Sequence, residues 1–110
     1  MQDIGGIRFI GQLLDGLPVK ELRPLADAAK QQIESGVVAF VAVNDGKAAL
    51  LVGVTDDLTG RFNAVDLVRV GAEALGGSGG GGRPGMAQAG GPDGAAGQTA
   101  LDAVAAALRG

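Results

Sequence analysis

The residues best suited to chemistry lie in one stretch. Gly76 to Gly91 reads Gly-Gly-Ser-Gly-Gly-Gly-Gly-Arg-Pro-Gly-Met-Ala-Gln-Ala-Gly-Gly. Glycines let a backbone approach a bulky anion, and their unhindered N–H groups form anion-binding nests. Arg83 beside them offers a planar fork for bidentate contact with phosphate. Composition alone leaves a second reading open, a flexible Gly/Ser linker. Arg-Pro and Met-Ala-Gln-Ala are not linker composition, and an amphipathic pattern resumes after them. Gly77, Gly79 and Gly82 satisfy G-x-G-x-x-G, but in a glycine run that match is nearly automatic. No long strand precedes it and no helix begins at it, which argues against a dinucleotide site. The P-loop pattern fails because Gly-Lys-Ser/Thr is absent.

The other charged residues divide by context. Lys20, Arg23 and Lys30 are interspersed with Glu21, Asp27 and Glu34, the mixture of a solvated helix face with weak pairs. Lys47, Arg61, Arg69 and Arg83 stand apart from such mixtures. Arg61 and Arg83 fall in segments that read as loops, where binding residues concentrate. Asp56 and Asp57, flanked by Thr55 and Thr59, read as turn formers rather than a catalytic pair.

Composition excludes much else. The 110 residues contain no cysteine and no histidine. Disulfides, thiolate or imidazole metal sites and His-dependent nucleophilic catalysis are therefore ruled out. Trp and Tyr are absent and the aromatics are Phe9, Phe40 and Phe62, which argues against stacking bases on an aromatic row. The formal charge of -3 gives no bulk attraction for nucleic acid, so any such site is a local patch of the nine Lys and Arg. The longest apolar run, Val37 to Val43, is too short to span a bilayer, and the first residues lack the plan of a signal peptide. The expectation is a cytoplasmic chain with a single domain over residues 1–110. It should bury roughly 65% of its unfolded surface.

These residues need a scaffold. Residues 6–14 read as a strand, with Ile7, Phe9 and Leu13 on one face and Arg8 and Gln12 on the other. Residues 18–35 read as a helix with Leu22, Leu25, Ala29 and Ile33 along its apolar side. Pro24 is incompatible with a helix interior, so a short turn should come first and the regular helix from about Arg23. Gly36 fits the left-handed position that closes a helix. Val37 to Val43 reads as a central strand, Asn44-Asp45-Gly46 as a hairpin turn and Lys47 to Val54 as the returning strand. Asn63 can cap a helix ending at Leu75-Gly76-Gly77. A Gly-rich loop over 76–85, a short strand Met86 to Ala89 and a helix from Thr99 complete the chain. The pattern predicts an α/β fold, α+β-like, in which a small mixed sheet is packed by about three helices.

The block 79–91 resembles the signature of the carboxyl-terminal, DHH-associated domain of bacterial alanyl-tRNA synthetases. Val54 to Val68 (Val-Thr-Asp-Asp-Leu-Thr-Gly-Arg-Phe-Asn-Ala-Val-Asp-Leu-Val), the Leu22 to Asp27 segment and the paired apolar strands are similar to that family as well. In DHH phosphoesterases, which carry a related domain, a His follows the glycines. Arg83-Pro84 stands there in this sequence, which favours the synthetase branch. The resemblance implies a non-catalytic tRNA-binding module that docks on the elbow of tRNA(Ala) and links aminoacylation with editing. It implies a parent alanine–tRNA ligase that uses ATP, Mg²⁺ and Zn²⁺ elsewhere in its chain. The partners implied are tRNA(Ala) and the other parental domains, with self-association through a helical segment before residue 1. No cofactor is expected within these residues. On this reading Gly79, Gly80, Gly81, Gly82 and Arg83 approach the RNA backbone, with Arg61 and Lys47 as auxiliary phosphate contacts. The alternatives are the nucleotide-binding domain of a DHH-type phosphoesterase and a structural or protein-interaction domain.

Overall fold

The apolar run at Val37 becomes the middle of a sheet. A computed structural model describes residues 2–77 and 80–109. Its elements in chain order are β1 (Gln2–Ile4), β2 (Ile7–Asp15), α1 (Leu22–Ile33), β3 (Gly36–Asn44), β4 (Lys47–Val54), α2 (Ala64–Ala74), β5 (Gly81–Arg83), β6 (Met86–Gly91) and α3 (Gly97–Leu108). The sheet order is β1-β2-β3-β4-β6-β5. β2 and β3 run parallel, joined through α1, and the remaining neighbours are antiparallel. The expected small mixed sheet with three helices is the fold observed.

Side-chain alternation along the strands separates two apolar layers. Val37, Ala39 and Val41 of β3 and Leu50, Val52 and Val54 of β4 face α2 and α3, where they meet Val68, Leu101 and Val104. Val38, Phe40 and Ala42, with Leu51 and Met86, face Leu22, Ala26 and Ile33 of α1. Two helices therefore cover one face and a single helix the other. α1 rests mainly on β3 and β4, which leaves the β6–β5 side of its face open.

Local chemistry accounts for the element ends. A 3₁₀ turn, Val19–Glu21, precedes α1, and Pro24 falls in the helix's first turn, where its missing N–H is harmless. Asn63 caps α2 by accepting from the Val65 N–H at 2.9 Å. α2 ends in a Schellman motif: Gly76, at φ 76°, donates to Glu73 O and Gly77 donates to Ala72 O. The β3–β4 turn has Asp45 and Gly46 at φ 53° and 76°, the signs a type I′ turn requires.

Several expectations are corrected. Gly36 does not close α1; the helix ends at Glu34, at φ 66° and ψ -54°, in a tight turn where the Ser35 N–H donates to Ile33 O at 2.7 Å. Gly36 instead starts β3 where a Cβ would lie 2.5 Å from the Arg8 carbonyl oxygen. Leu25 is exposed because α1 buries Leu22, Ala26 and Ile33 instead, and Leu13 stays exposed although the start of α3 at Gly97 lies against it. β1 was not foreseen, since three residues carry no readable period. α3 starts at Gly97, two residues before Thr99.

Candidate nucleic-acid interface

The second half of the segment read as a Gly-rich loop, residues 81–85, is one strand and the turn of a hairpin. Gly81 pairs with Gln88, Gly82 with Ala87 and Arg83 with Met86. The Pro84-Gly85 turn is pinned twice: the Ala64 N–H donates to Pro84 O and the Val54 N–H to Gly85 O, each at 2.9 Å. Residues 81–85 are thus ordered by the sheet, which corrects the loop expected over 76–85. Gly79 lies outside the described residues.

The glycines of this hairpin have different reasons to be glycine. Gly80 and Gly82 sit at φ 133° and 149°, a region L side chains avoid. A Cβ on Gly82 would also lie 2.4 Å from the Met86 carbonyl oxygen. Their smallness is required by the packing of β5 on β6. Gly81 is exposed, and a Cβ there would meet nothing within 4 Å. Nothing inside the fold demands glycine at that position.

α1 supplies the opposite wall. Arg23, Asp27 and Lys30 are spaced to share one helix face, and they line a cleft of about 310 Å³ together with Asp56, Arg83, Gly85 and Met86. A neighbouring hollow of about 190 Å³ is lined by Arg23, Leu51, Gly81, Gly82, Met86, Ala87 and Gln88. Arg23 borders both. Lys30 is held in place: a Cβ on Gly53 would come within 2.9 Å of Lys30 Cδ, so its stem crosses that glycine. Its ammonium donates to Gly85 O at 3.1 Å.

The structure sorts the sequence-predicted residues unequally. Gly81, Gly82 and Arg83 border the α1–hairpin surface, and Gly80 leads into it. Arg61 lies at the same end of the sheet, but its guanidinium sits over the Phe62 ring, 5.3 Å from the centroid. Phe62 packs on the core layer of α2 and α3, so Arg61 is drawn to that side. Lys47 opens β4 at the far end, roughly 24 Å from Val54 at ~3.4 Å per residue. Arg23, Lys30 and Gln88 were missed as site residues. The 23, 27, 30 spacing was legible as one helix face, but which face would meet the hairpin was not.

A polar network closes the same end of the sheet. Buried Thr55 accepts from the Gly36 N–H at 2.9 Å and donates to Asp57 Oδ1 at 2.6 Å, while Ser35 Oγ donates to Asp57 Oδ2. The Ser35 hydroxyl first, then that of Thr55, holds the Asp57 carboxyl below the usual carboxylate range. Among the described residues, no three Asp or Glu converge as a metal site and no helix is long and apolar enough to cross a membrane.

Residues 6–110 match the DHHA1 domain family. The chain is 60% identical over 110 residues to the alanine–tRNA ligase of Rhizobium meliloti (strain 1021), and 58% to that of Chelativorans sp. (strain BNC1). Each match covers 99% of this chain and 12% of the relative's length. In three dimensions the chain is similar to the C-Ala domain of Aquifex aeolicus alanyl-tRNA synthetase. That match has a TM-score of 0.92, 28% identity, and covers 99% of this chain and 97% of that one. A DHH-domain member of the s1p family of ribosomal proteins shares the fold at a TM-score of 0.60 and 21% identity, covering 98% of this chain and 27% of that one.

Proposed function

Since the chain belongs to the DHHA1 domain family and is similar to the C-terminal region of alanine–tRNA ligases, we propose that it is the tRNA-binding C-terminal module of such a ligase. It docks on the elbow of tRNA(Ala) and helps join aminoacylation to editing. It contributes binding, and the ATP-, Mg²⁺- and Zn²⁺-dependent chemistry belongs to other parental domains. The observation that carries this reading is the β5 edge. Gly81 is exposed and open where the fold has no need of glycine, and Arg83 follows two residues later. A rim of backbone without side chains, flanked by guanidinium, suits approach to a phosphate backbone recognised by shape. Gly80 and Gly82 set the rim's geometry, and Gly79 precedes it in sequence. Arg61 and Lys47 are further contacts within reach only of an extended RNA surface.

The test is an anisotropy titration with labelled tRNA(Ala), an acceptor-stem minihelix lacking the elbow and duplex DNA, across a salt series. The expected result is preference for the full tRNA, with affinity falling steeply as salt rises. Arg83→Ala should weaken that binding in folded protein. Equal binding to all three ligands, or unchanged binding by Arg83→Ala, overturns the assignment.

A further inference from the structure

The cleft between α1 and the Pro84-Gly85 turn has features that the open glycine rim lacks. Its two walls carry three cations: Arg23 and Lys30 from the helix and Arg83 from the hairpin. Lys30 is half-buried and fixed at both stem and head, with its stem over Gly53 and its ammonium on Gly85 O. An ammonium has three donors, so two remain after the Gly85 bond. Arg23 and Arg83 are exposed, so their forks are free to close from opposite walls. Asp27 and Asp56 also line the cleft. Asp27 lies four residues after Arg23 and three before Lys30, spacings that let it offset either cation. Three cations against two carboxylates leave a local positive excess in a chain whose formal charge is -3.

We propose that this cleft is a phosphate site. Lys30 is the preset donor and Arg23 and Arg83 are arms that close on one phosphodiester of an RNA backbone. A tetrahedral phosphate accepts from several directions at once, which suits donors arriving from two walls. Asp27 and Asp56 in the lining temper the attraction for anions, so the three cations must act together on one ligand. Arg23 borders both hollows, so the cleft is continuous with the rim formed by Gly81 and Gln88. The source of the phosphate rests on the RNA-binding reading above; the cleft's affinity for phosphate does not.

The experiment compares the wild-type chain, Arg23→Gln and Arg69→Gln in tRNA titrations across salt. Arg69 is exposed on α2, the helix on the other face of the sheet. Arg23→Gln should weaken binding several-fold and reduce the slope of log affinity against log salt by about one. Arg69→Gln should leave the slope unchanged. Wild-type binding with no change in Arg23→Gln overturns the cleft and leaves the RNA reading standing. If the wild type binds no tRNA, the RNA reading fails and the cleft is decided by pyrophosphate. In that titration of ¹⁵N-labelled chain, saturable shifts of the Arg23 and Arg83 Nε–H and the Gly85 and Met86 amides, diminished in Arg23→Gln, support the site. Their absence overturns it.

Discussion

Lys30 Nζ on α1 donates to the carbonyl oxygen of Gly85, 3.1 Å away and 55 positions further along the chain. The same oxygen accepts from the Val54 N–H, so one carbonyl joins the helix, β4 and the hairpin turn. Lys30→Met keeps the stem over Gly53 and removes the donor. Gly85 O retains its backbone partner, so no orphan is created and the expected loss is only about 1 kcal/mol. Denaturant unfolding measures it. A loss near zero would show that the ammonium bond does not bind α1 to the hairpin.

Gly81 and Gly82 should respond oppositely to alanine. Gly82→Ala forces an L residue into φ near 149° and drives a Cβ against Met86 O, which should cost about 1–3 kcal/mol or more. Gly81→Ala meets open space, so stability should stay within ~0.5 kcal/mol of wild type. Any loss of RNA binding in Gly81→Ala is then a surface effect, read by comparing melting with titration.

Asp57 gives a pH prediction. The Ser35 and Thr55 hydroxyls stabilise its ionised form, so its folded pKa lies below the unfolded one. That stability is fully present above the unfolded value, ~3.9, and is lost as pH falls through the lower folded value. Asp57→Asn should melt earlier than wild type at neutral pH, and the gap should close in strong acid. A gap independent of pH would assign the effect to geometry rather than charge.

Gly71 sets two effects against each other. Alanine in a helix interior is ordinarily better than glycine by about 1 kcal/mol. Here a Cβ would lie 2.3 Å from Cδ2 of fully buried Leu50 and 3.3 Å from Val104 Cγ2. Overpacking costs about 1–3 kcal/mol, so Gly71→Ala should lose ~1 kcal/mol net. A gain in thermal melting would mean that Leu50 has room to move.

The layered fold was legible because its signals are local. Val37 to Val43 announces a buried strand, Asp45-Gly46 a tight hairpin, and Asn63 and Gly76 the ends of α2. The site was legible only on its hairpin side. Arg83 and the glycines mark themselves by type, but of the described glycines at 80–82, Gly80 and Gly82 serve the fold and only Gly81 is spare. Arg23 and Lys30 looked like an ordinary solvated face, because their partner surface arrives some fifty residues later. Arg61 reads as a loop cation like Arg83, but the sequence does not show that Phe62 draws it to the other layer. Lys47 and Arg83 are both cations beside turns, and only the strand direction of β4 shows that they belong to opposite ends.

The sheet tapers from nine residues in β2 and β3 to three in β1 and β5 at its rims. Its stickiest segment, Val37 to Val43, is flanked on both sides by ladder partners. Strands of three residues offer little template for another molecule to extend, and the β5 rim carries glycines and an arginine rather than apolar side chains. β4 reaches β3 through a two-residue turn, so during folding one flank of that segment is covered almost as soon as it forms. The other waits for the crossover from β2. What this fold sets against self-templating is therefore the shortness of its rims and the local pairing of one hairpin, both independent of what the cleft binds.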